Sequence, residues 1–227
     1  MTAVLQSVSL WKDLDVTPND LQSIDHVLTT TRAVRKRLDL TRAVPREVVL
    51  DCLRLAIQAP TGGNSQGWRW LVVDDAGKRA AIAALYQKRA NPYLDGYRKL
   101  SDAANPVLDS SQYLTEHLHE VPVFVIPCIL GRLPESPSNE EAAGFYGSIL
   151  PGVWNFQLAL RSRGLGSVFT TLHLAYEREA GEILGIPETV TQAALIPVAY
   201  TVGTDFKPAA RRPIDQITYW NGWKQSS

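Results

Sequence analysis

The run Val121–Leu130, VPVFVIPCIL, limits what this chain can fold into more than any other stretch. It is about half the ~20 residues that a membrane-spanning helix needs, and no polar side chain interrupts it. A strand with one wet face alternates apolar and polar residues, whereas a strand covered on both faces is continuously apolar. The run therefore predicts a central strand with other elements packed on each side. Helical patterns supply that cover. Pro45 stands at a helix start, where its missing N–H costs nothing. Behind it Val48, Val49, Cys52, Leu53, Ala56 and Ile57 recur at helical spacing. Pro60 stops this helix, and Thr61-Gly62-Gly63-Asn64 is a loop of turn formers.

Further along, a helix is predicted from about Leu21 to Thr29, a strand over Trp68–Val73, and a helix over Ala76–Ala90 with Ala80, Ala81, Ala84 and Leu85 inward. A long helix follows over Ser148–Arg163, closed by Gly164-Leu165-Gly166, where glycine supplies the left-handed cap. Ser167–Thr171 and Gln192–Val202 read as strands and Tyr176–Leu184 as a helix. Strands alternating with helices predict an α/β or α+β sandwich. With 227 residues, one domain over 1–227 is expected, with residues 1–20 an irregular or weakly helical leader. Residues 91–112 show little pattern and include Pro92, Gly96 and Pro106. Segment 91–120 reads as either a mobile lid or a surface excursion, and Pro134–Glu141 as a loop. Residues 207–227 contain Tyr219, Trp220 and Trp223. They are too aromatic to lie loose in water and are expected to pack on something, a partner subunit being one candidate.

Lysine plus arginine and aspartate plus glutamate are 23 each, so the net charge is zero. The global attraction that drives nucleic-acid binding is missing, although a local basic patch is not excluded. Cys52 and Cys128 have no metal-ligand spacing and read as buried apolar residues. No basic start, apolar core and small-residue cleavage site occur together near Met1, so the N-terminus does not read as a secretory signal. The reading is a cytoplasmic protein.

Three segments carry chemistry. The first, Arg32-Ala33-Val34-Arg35-Lys36-Arg37, places four cations in six residues. Guanidinium forks match phosphate oxygens, and the cluster is either a phosphate grip or a solvated basic face. On a helix, Arg32, Arg35 and Lys36 would share one side, with Arg37 elsewhere. The second is Ala59–Trp68, APTGGNSQGW. Its glycines allow close backbone approach, and Asn64 and Gln66 carry paired donors and acceptors suited to a pyrimidine-like edge. A tight helix-to-strand turn with capping side chains explains the same residues. The third, Gly164–Thr171, lacks the third glycine and the strand-then-helix order of a dinucleotide fingerprint. No P-loop occurs. His26, His117, His119 and His173 are scattered and read as surface or capping residues.

Taken in order, Arg32-Ala33-Val34-Arg35, the Ala59–Trp68 motif, Gly164-Leu165-Gly166 and Arg211-Arg212-Pro213 make the chain resemble the nitroreductase superfamily over about residues 27–217. The resemblance implies an α+β fold, with a central, mostly antiparallel sheet flanked by helices. It also implies an intertwined homodimer with FMN at the subunit interface. By position, Arg32, Ala33, Val34 and Arg35, with Lys36, would meet the FMN phosphate and ribityl chain, and Arg211 and Arg212 would add charge there. Pro60, Thr61, Gly62, Asn64 and Gln66 would line the flavin ring. Thr170, Thr171 and Leu172 would contact its redox-active edge, and Ser148 to Pro151 would reach it from the other subunit. The chain has Ala33 where the family often has serine, so a backbone N–H or another group would replace a hydroxyl at the phosphate, and it has Gly67 where the family often has proline, which loosens that turn.

The activity so implied is a ping-pong transfer of electrons from NADH or NADPH through FMN to a nitroaromatic, quinone or similar flat acceptor. No side chain is assigned as acid, base or nucleophile, and no metal ligands are assigned. Tyr93, Tyr97 and Tyr113 either cover the acceptor or pack under a loop. The alternatives on the same fold are reductive dehalogenation, flavin fragmentation by oxygen, and flavin or ligand binding without turnover. A basic-patch interaction domain is a further alternative.

Overall fold

Strand β2 (Val123–Leu130) is the spine of a five-stranded sheet in the computed structural model, which describes residues 18–100 and 105–223. Seven of its eight residues are buried, as the unbroken apolar run predicts. Val123, Val125 and Ile129 point into one core cluster, which they share with Val49, Cys52 and Ala56 and with Ile149, Val153, Phe156 and Leu160. Phe124, Ile126 and Cys128 are buried on the other face. The order is β1-β2-β5-β3, with β4 also on β2, and every named pairing is antiparallel. Here β1 is Trp68–Val73, β3 Leu165–Ser167, β4 Val190–Gln192 and β5 Ile196–Tyr200. The predicted strand over Gln192–Val202 is thus two, because Ala193–Leu195 leaves the ladder between them. The Ala193 N–H still reaches the Pro127 carbonyl at 2.8 Å.

Helices α2 (Arg46–Ala56) and α6 (Leu150–Ser162) cover the first face. They approach closely at Gly152, where a methyl group would stand 3.3 Å from the Ala56 carbonyl oxygen. Gly164 takes a φ of +75° after α6, the expected left-handed stop. The long helix predicted from Ser148 is preceded by another, α5 (Asn139–Gly147). It starts inside the predicted 134–141 loop, where Ser138 and Glu141 form a capping box.

Helix α3 (Ala76–Lys99) starts on the Asp75 cap and runs a full two turns past the predicted end at Ala90. Pro92 lies inside it and removes one backbone donor, which a helix in place can tolerate but a pattern search treats as a stop. Its buried side is Ile82, Ala83, Tyr86, Ala90 and Leu94, whereas Ala80 and Ala84 are exposed. The predicted inward face was therefore rotated: four small alanines look apolar from either side. Asn105 caps α4 (Pro106–His117), with Pro106 at its first turn. The stretch that lacks a visible period is thus helical on both sides of residues 101–104, which lie outside the described residues. Helix α7 (Glu177–Leu184) ends on Gly185, φ +72°.

The chain divides into two compact units, residues 31–204 and residues 1–30 with 205–227. All elements above lie in the first. In the second, α1 (Pro18–Thr30) is a 13-residue helix, and the described tail holds a short turn of helix at Ile214–Gln216 and a Tyr219–Trp223 ring stack 4.9 Å between centroids. Most of the expected leader falls outside the described residues. Among the described residues, no helix is long and apolar enough to cross a membrane.

Candidate active site

The basic segment is not a helix: it makes isolated bridges at Ala33 and Leu38, joined by a turn over Arg35–Arg37. Val34 N–H donates to the Ser167 carbonyl at 2.9 Å, Ala33 pairs with Ser167 in parallel, and Leu38 pairs with Thr201. The helical face expected for Arg32, Arg35 and Lys36 is therefore corrected. Gly166 explains why the segment lies there: a methyl group on it would stand 2.7 Å from the Thr201 methyl and 3.0 Å from the Val34 side chain. Backbone pairing at a strand edge wins over the segment's helical spacing, and its cations diverge. The Arg37 guanidinium donates to the Val202 carbonyl at 2.8 Å. Arg32 and Lys36 are exposed, whereas the Val34 side chain is buried and its N–H is given to Ser167, so Val34, expected at the phosphate, offers it no donor.

Arg35 turns into a cavity of about 410 Å³ between α3, α4 and the loop after β3. Its walls include Tyr86, Tyr93, Leu94, Tyr97, Leu108 and Phe169, and Thr170, Thr171 and Leu172 border the same space. Among the described residues, Arg35 is the only charged one lining it, and no carboxylate does. Burial pulls the guanidinium below its usual value, opposed by the nearby Tyr86 phenol. It makes a long hydrogen bond, 3.4 Å, to the Ser110 hydroxyl. A half-buried cation with so little compensation favours an anionic or electron-rich group in the cavity. Burial likewise pushes the Tyr86 phenol up to about 12, so it stays protonated. Thr170 is committed to the scaffold, its N–H and hydroxyl both donating to the Leu195 carbonyl at 3.1 Å. Thr171 is exposed.

A second cluster forms around the 61–66 loop, none of whose residues lines that cavity. Ser148 Oγ accepts the Gly62 N–H at 3.0 Å and donates to the Gly144 carbonyl at 2.8 Å, which ties the loop to the C-terminal end of α5. Gln66 N–H reaches Thr61 Oγ1 at 3.2 Å, and the Gln66 amide donates to Asn64 Oδ1 at 3.1 Å. Asn64 and Gln66 hold φ of +52° and +48°. Such left-handed backbone at non-glycine residues is uncommon and gathers at functional loops. Pro60, Gly62, Asn64 and Gln66 are exposed, while Pro151 is partly covered. Arg211 and Arg212, in the other unit, are exposed in an irregular segment.

Three site features escaped sequence reading. Tyr86 and Phe169 line the cavity; Tyr86 lies on one stripe with Ala90, Tyr93 and Tyr97 once α3 is continued through Pro92. Tyr113 instead stacks on His117, 4.3 Å between centroids. His173, expected at the surface or as a cap, is fully buried in the turn Leu172–Tyr176. Burial lowers its imidazole to about 4, a fall that Gln192 and Glu177 partly offset. Both cysteines are buried and free, and burial raises their thiols to about 11 and about 12.

The sequence profile of the nitroreductase family matches residues 28–200. A protein named NADH dehydrogenase from Thermus thermophilus is 28% identical over 215 residues, covering 86% of this chain and 97% of that one. Iodotyrosine deiodinase from Thermotoga neapolitana is 25% identical over 69% of this chain and 77% of its own. Among solved structures, an oxidised iodotyrosine deiodinase bound to FMN and 3-iodo-L-tyrosine superposes with a TM-score of 0.64 at 22% identity, over 88% of this chain and 100% of the other. The last likeness establishes the fold.

Proposed function

The chain belongs to the nitroreductase family of oxidoreductases, and we propose that it binds FMN and passes electrons from NADH or NADPH to a flat organic acceptor. The observation that carries this reading is the Val34–Ser167 pairing, which brings Arg35 to the cavity bordered by Thr170, Thr171 and Leu172. The cavity fits a flavin end: a half-buried cation and, among the described residues, no carboxylate. FMN, when bound, supplies the two-electron chemistry. Arg35 stabilises negative charge at this end, an electrostatic contribution that grows as the site dries. Arg32, the Ala33 backbone and Lys36 would hold the phosphate side, with Arg211 and Arg212 added from the C-terminal segment.

The cluster Pro60, Thr61, Gly62, Asn64 and Gln66 with Ser148 and Pro151 lines no part of that cavity, yet its polar groups suit the flavin's pyrimidine edge. A homodimer reconciles the two: each flavin would lie between the Arg35 side of one subunit and the Gly62–Ser148 side of its partner. The exposed Leu150 and Trp154 on α6, and Leu50 and Leu55 on α2, give such a dimer apolar surface to bury.

The visible spectrum of the purified protein tests the reading directly. Flavin bands are expected, together with anaerobic bleaching by NADH or NADPH and reoxidation by a quinone. A colourless protein that fails to take up added FMN would sink it. The likeness to iodotyrosine deiodinase supports a second reaction on the same site, reductive dehalogenation. Iodide release from 3-iodotyrosine by the reduced protein, at a rate exceeding that of quinone reduction, would favour it.

A further inference from the structure

The loop that borders the cavity at Thr170, Thr171 and Leu172 is anchored upstream by hydrogen bonds. Thr170 and Leu195 exchange both of theirs, the Thr170 N–H reaching the Leu195 carbonyl at 3.1 Å and the Leu195 N–H reaching the Thr170 carbonyl at 2.8 Å. Downstream stands His173, fully buried, with no hydrogen bond at either ring nitrogen. An apolar side chain would fill that dry space at lower cost, because an unpaired polar group is penalised there. The polar side chain that faces the ring is Gln192, whose amide oxygen is also buried and unpaired. Its orientation is set from behind. The Gln192 amide nitrogen donates to the Glu177 carbonyl at 2.9 Å, and the Gln192 backbone N–H donates to Glu177 Oε1 at 2.9 Å. That leaves the amide oxygen for the imidazole. Gln192 and Leu195 stand at the two ends of the break between β4 and β5, so the break receives the loop at two points.

We propose that His173 is a positioning residue for the flavin site: as a neutral donor to the Gln192 amide oxygen, it seats Thr171 and Leu172 at the cavity, the downstream counterpart of the Thr170–Leu195 pair. The inference rests on the flavin reading for what the loop serves, and on this buried pair for how the loop is held. The surroundings keep the ring neutral. Burial lowers the imidazole to about 4, which Gln192 and the Glu177 carboxylate only partly offset, and Arg132 engages that carboxylate at 2.7 Å. From β2, Cys128 pairs with Gln192, and burial raises its thiol to about 12. From α3, Lys88 reaches the same turn 4.0 Å from the centre of the Tyr176 ring and lies 3.8 Å from Glu179. A neutral imidazole donates through one nitrogen, so a single acceptor suits it.

The test compares His173→Leu, which removes the donor, with His173→Gln, which restores a neutral one. Titration of the apoproteins with FMN should show about tenfold weaker binding for the leucine variant, the worth of one lost hydrogen bond, and binding within about threefold of the parent for the glutamine variant. Hydrogen–deuterium exchange of the FMN-free proteins should show protection over residues 170–174 lost with leucine and kept with glutamine. Equal losses in both variants would make the position one of packing and overturn the inference. A leucine variant with parental affinity and parental protection would overturn it too. A parent protein that takes up no FMN would remove the flavin reading, and the exchange comparison then decides the anchor by itself. Should His173→Leu not fold, nuclear magnetic resonance of the parent's ring decides: neutrality down to about pH 4 supports the anchor, and titration near 6.5 overturns it.

Discussion

The Val34 amide hydrogen bonds to the Ser167 carbonyl at 2.9 Å, and this one backbone contact turns a run of charge into part of a site. It holds residues 33 and 34 against the end of β3, so that Arg35 enters the cavity bordered by Thr170 while Arg37 is tied to the Val202 carbonyl. Arg35 and Arg37, two positions apart, thereby face different surroundings.

Arg32→Ala is expected to weaken FMN binding by about 10- to 100-fold, the worth of a charge-assisted contact to phosphate. Arg211→Ala should act in the same direction. Fluorescence titration of apoprotein with FMN measures both, and circular dichroism should show the fold intact. Two variants that purify fully loaded with flavin would place the phosphate elsewhere.

Gly166→Ala should destabilise the unit by about 1–3 kcal/mol, the usual cost of forcing a methyl group into a filled space. The new carbon would stand 2.7 Å from Thr201 and 3.0 Å from Val34, so the basic segment must shift outward. Chemical denaturation reads the loss, and reduced flavin retention should accompany it. A variant as stable as the parent would mean that the segment is not held against β3.

Ser148→Ala leaves the Gly62 N–H without its partner at a part-buried position. A loss of about 1–2 kcal/mol is expected from the unpaired donor. Because the hydroxyl also steadies the loop that carries Asn64 and Gln66, FMN affinity should fall as well. Thermal denaturation with and without FMN separates the two effects: a shift in both states reports the scaffold, and a smaller FMN-induced gain reports the loop.

His173 should make stability fall on the acid side. Burial lowers the folded imidazole to about 4 from an ordinary 6.5. Between those values the unfolded chain binds a proton that the folded one refuses. The contribution is therefore complete above pH 6.5 and is lost progressively as the pH drops towards 4, up to about 3 kcal/mol in total. Urea midpoints across this range, compared with His173→Leu, isolate it. Parallel pH curves for the two proteins would show that His173 titrates normally.

Much of the fold was legible because its cues are local. The unbroken apolar run at 121–130 announced a strand buried on both faces, and Gly164 announced the end of α6. Where the structure departed, the local cue pointed two ways. Pro92 looked like a terminus yet lies within α3, and Ala80 and Ala84 looked inward yet face water, which hid Tyr86. His173 carried no signal at all, since burial belongs to a residue's neighbours and not to its own letter.

For the site, the sequence by itself determined which residue types stand in the motifs: the arginines at 32 and 35, the APTGGNSQ loop and the threonines at 170 and 171. Spacing along the chain fixed their order, and the resemblance lent them roles. Only the tertiary structure decided how they group, because strand pairing and close packing act between residues far apart along the chain. Val34 against Ser167 and Gly62 against Ser148 are such contacts. They divide the motif residues into one cavity holding Arg35 and the threonines and one separate polar loop, a division that no reading along the chain contains.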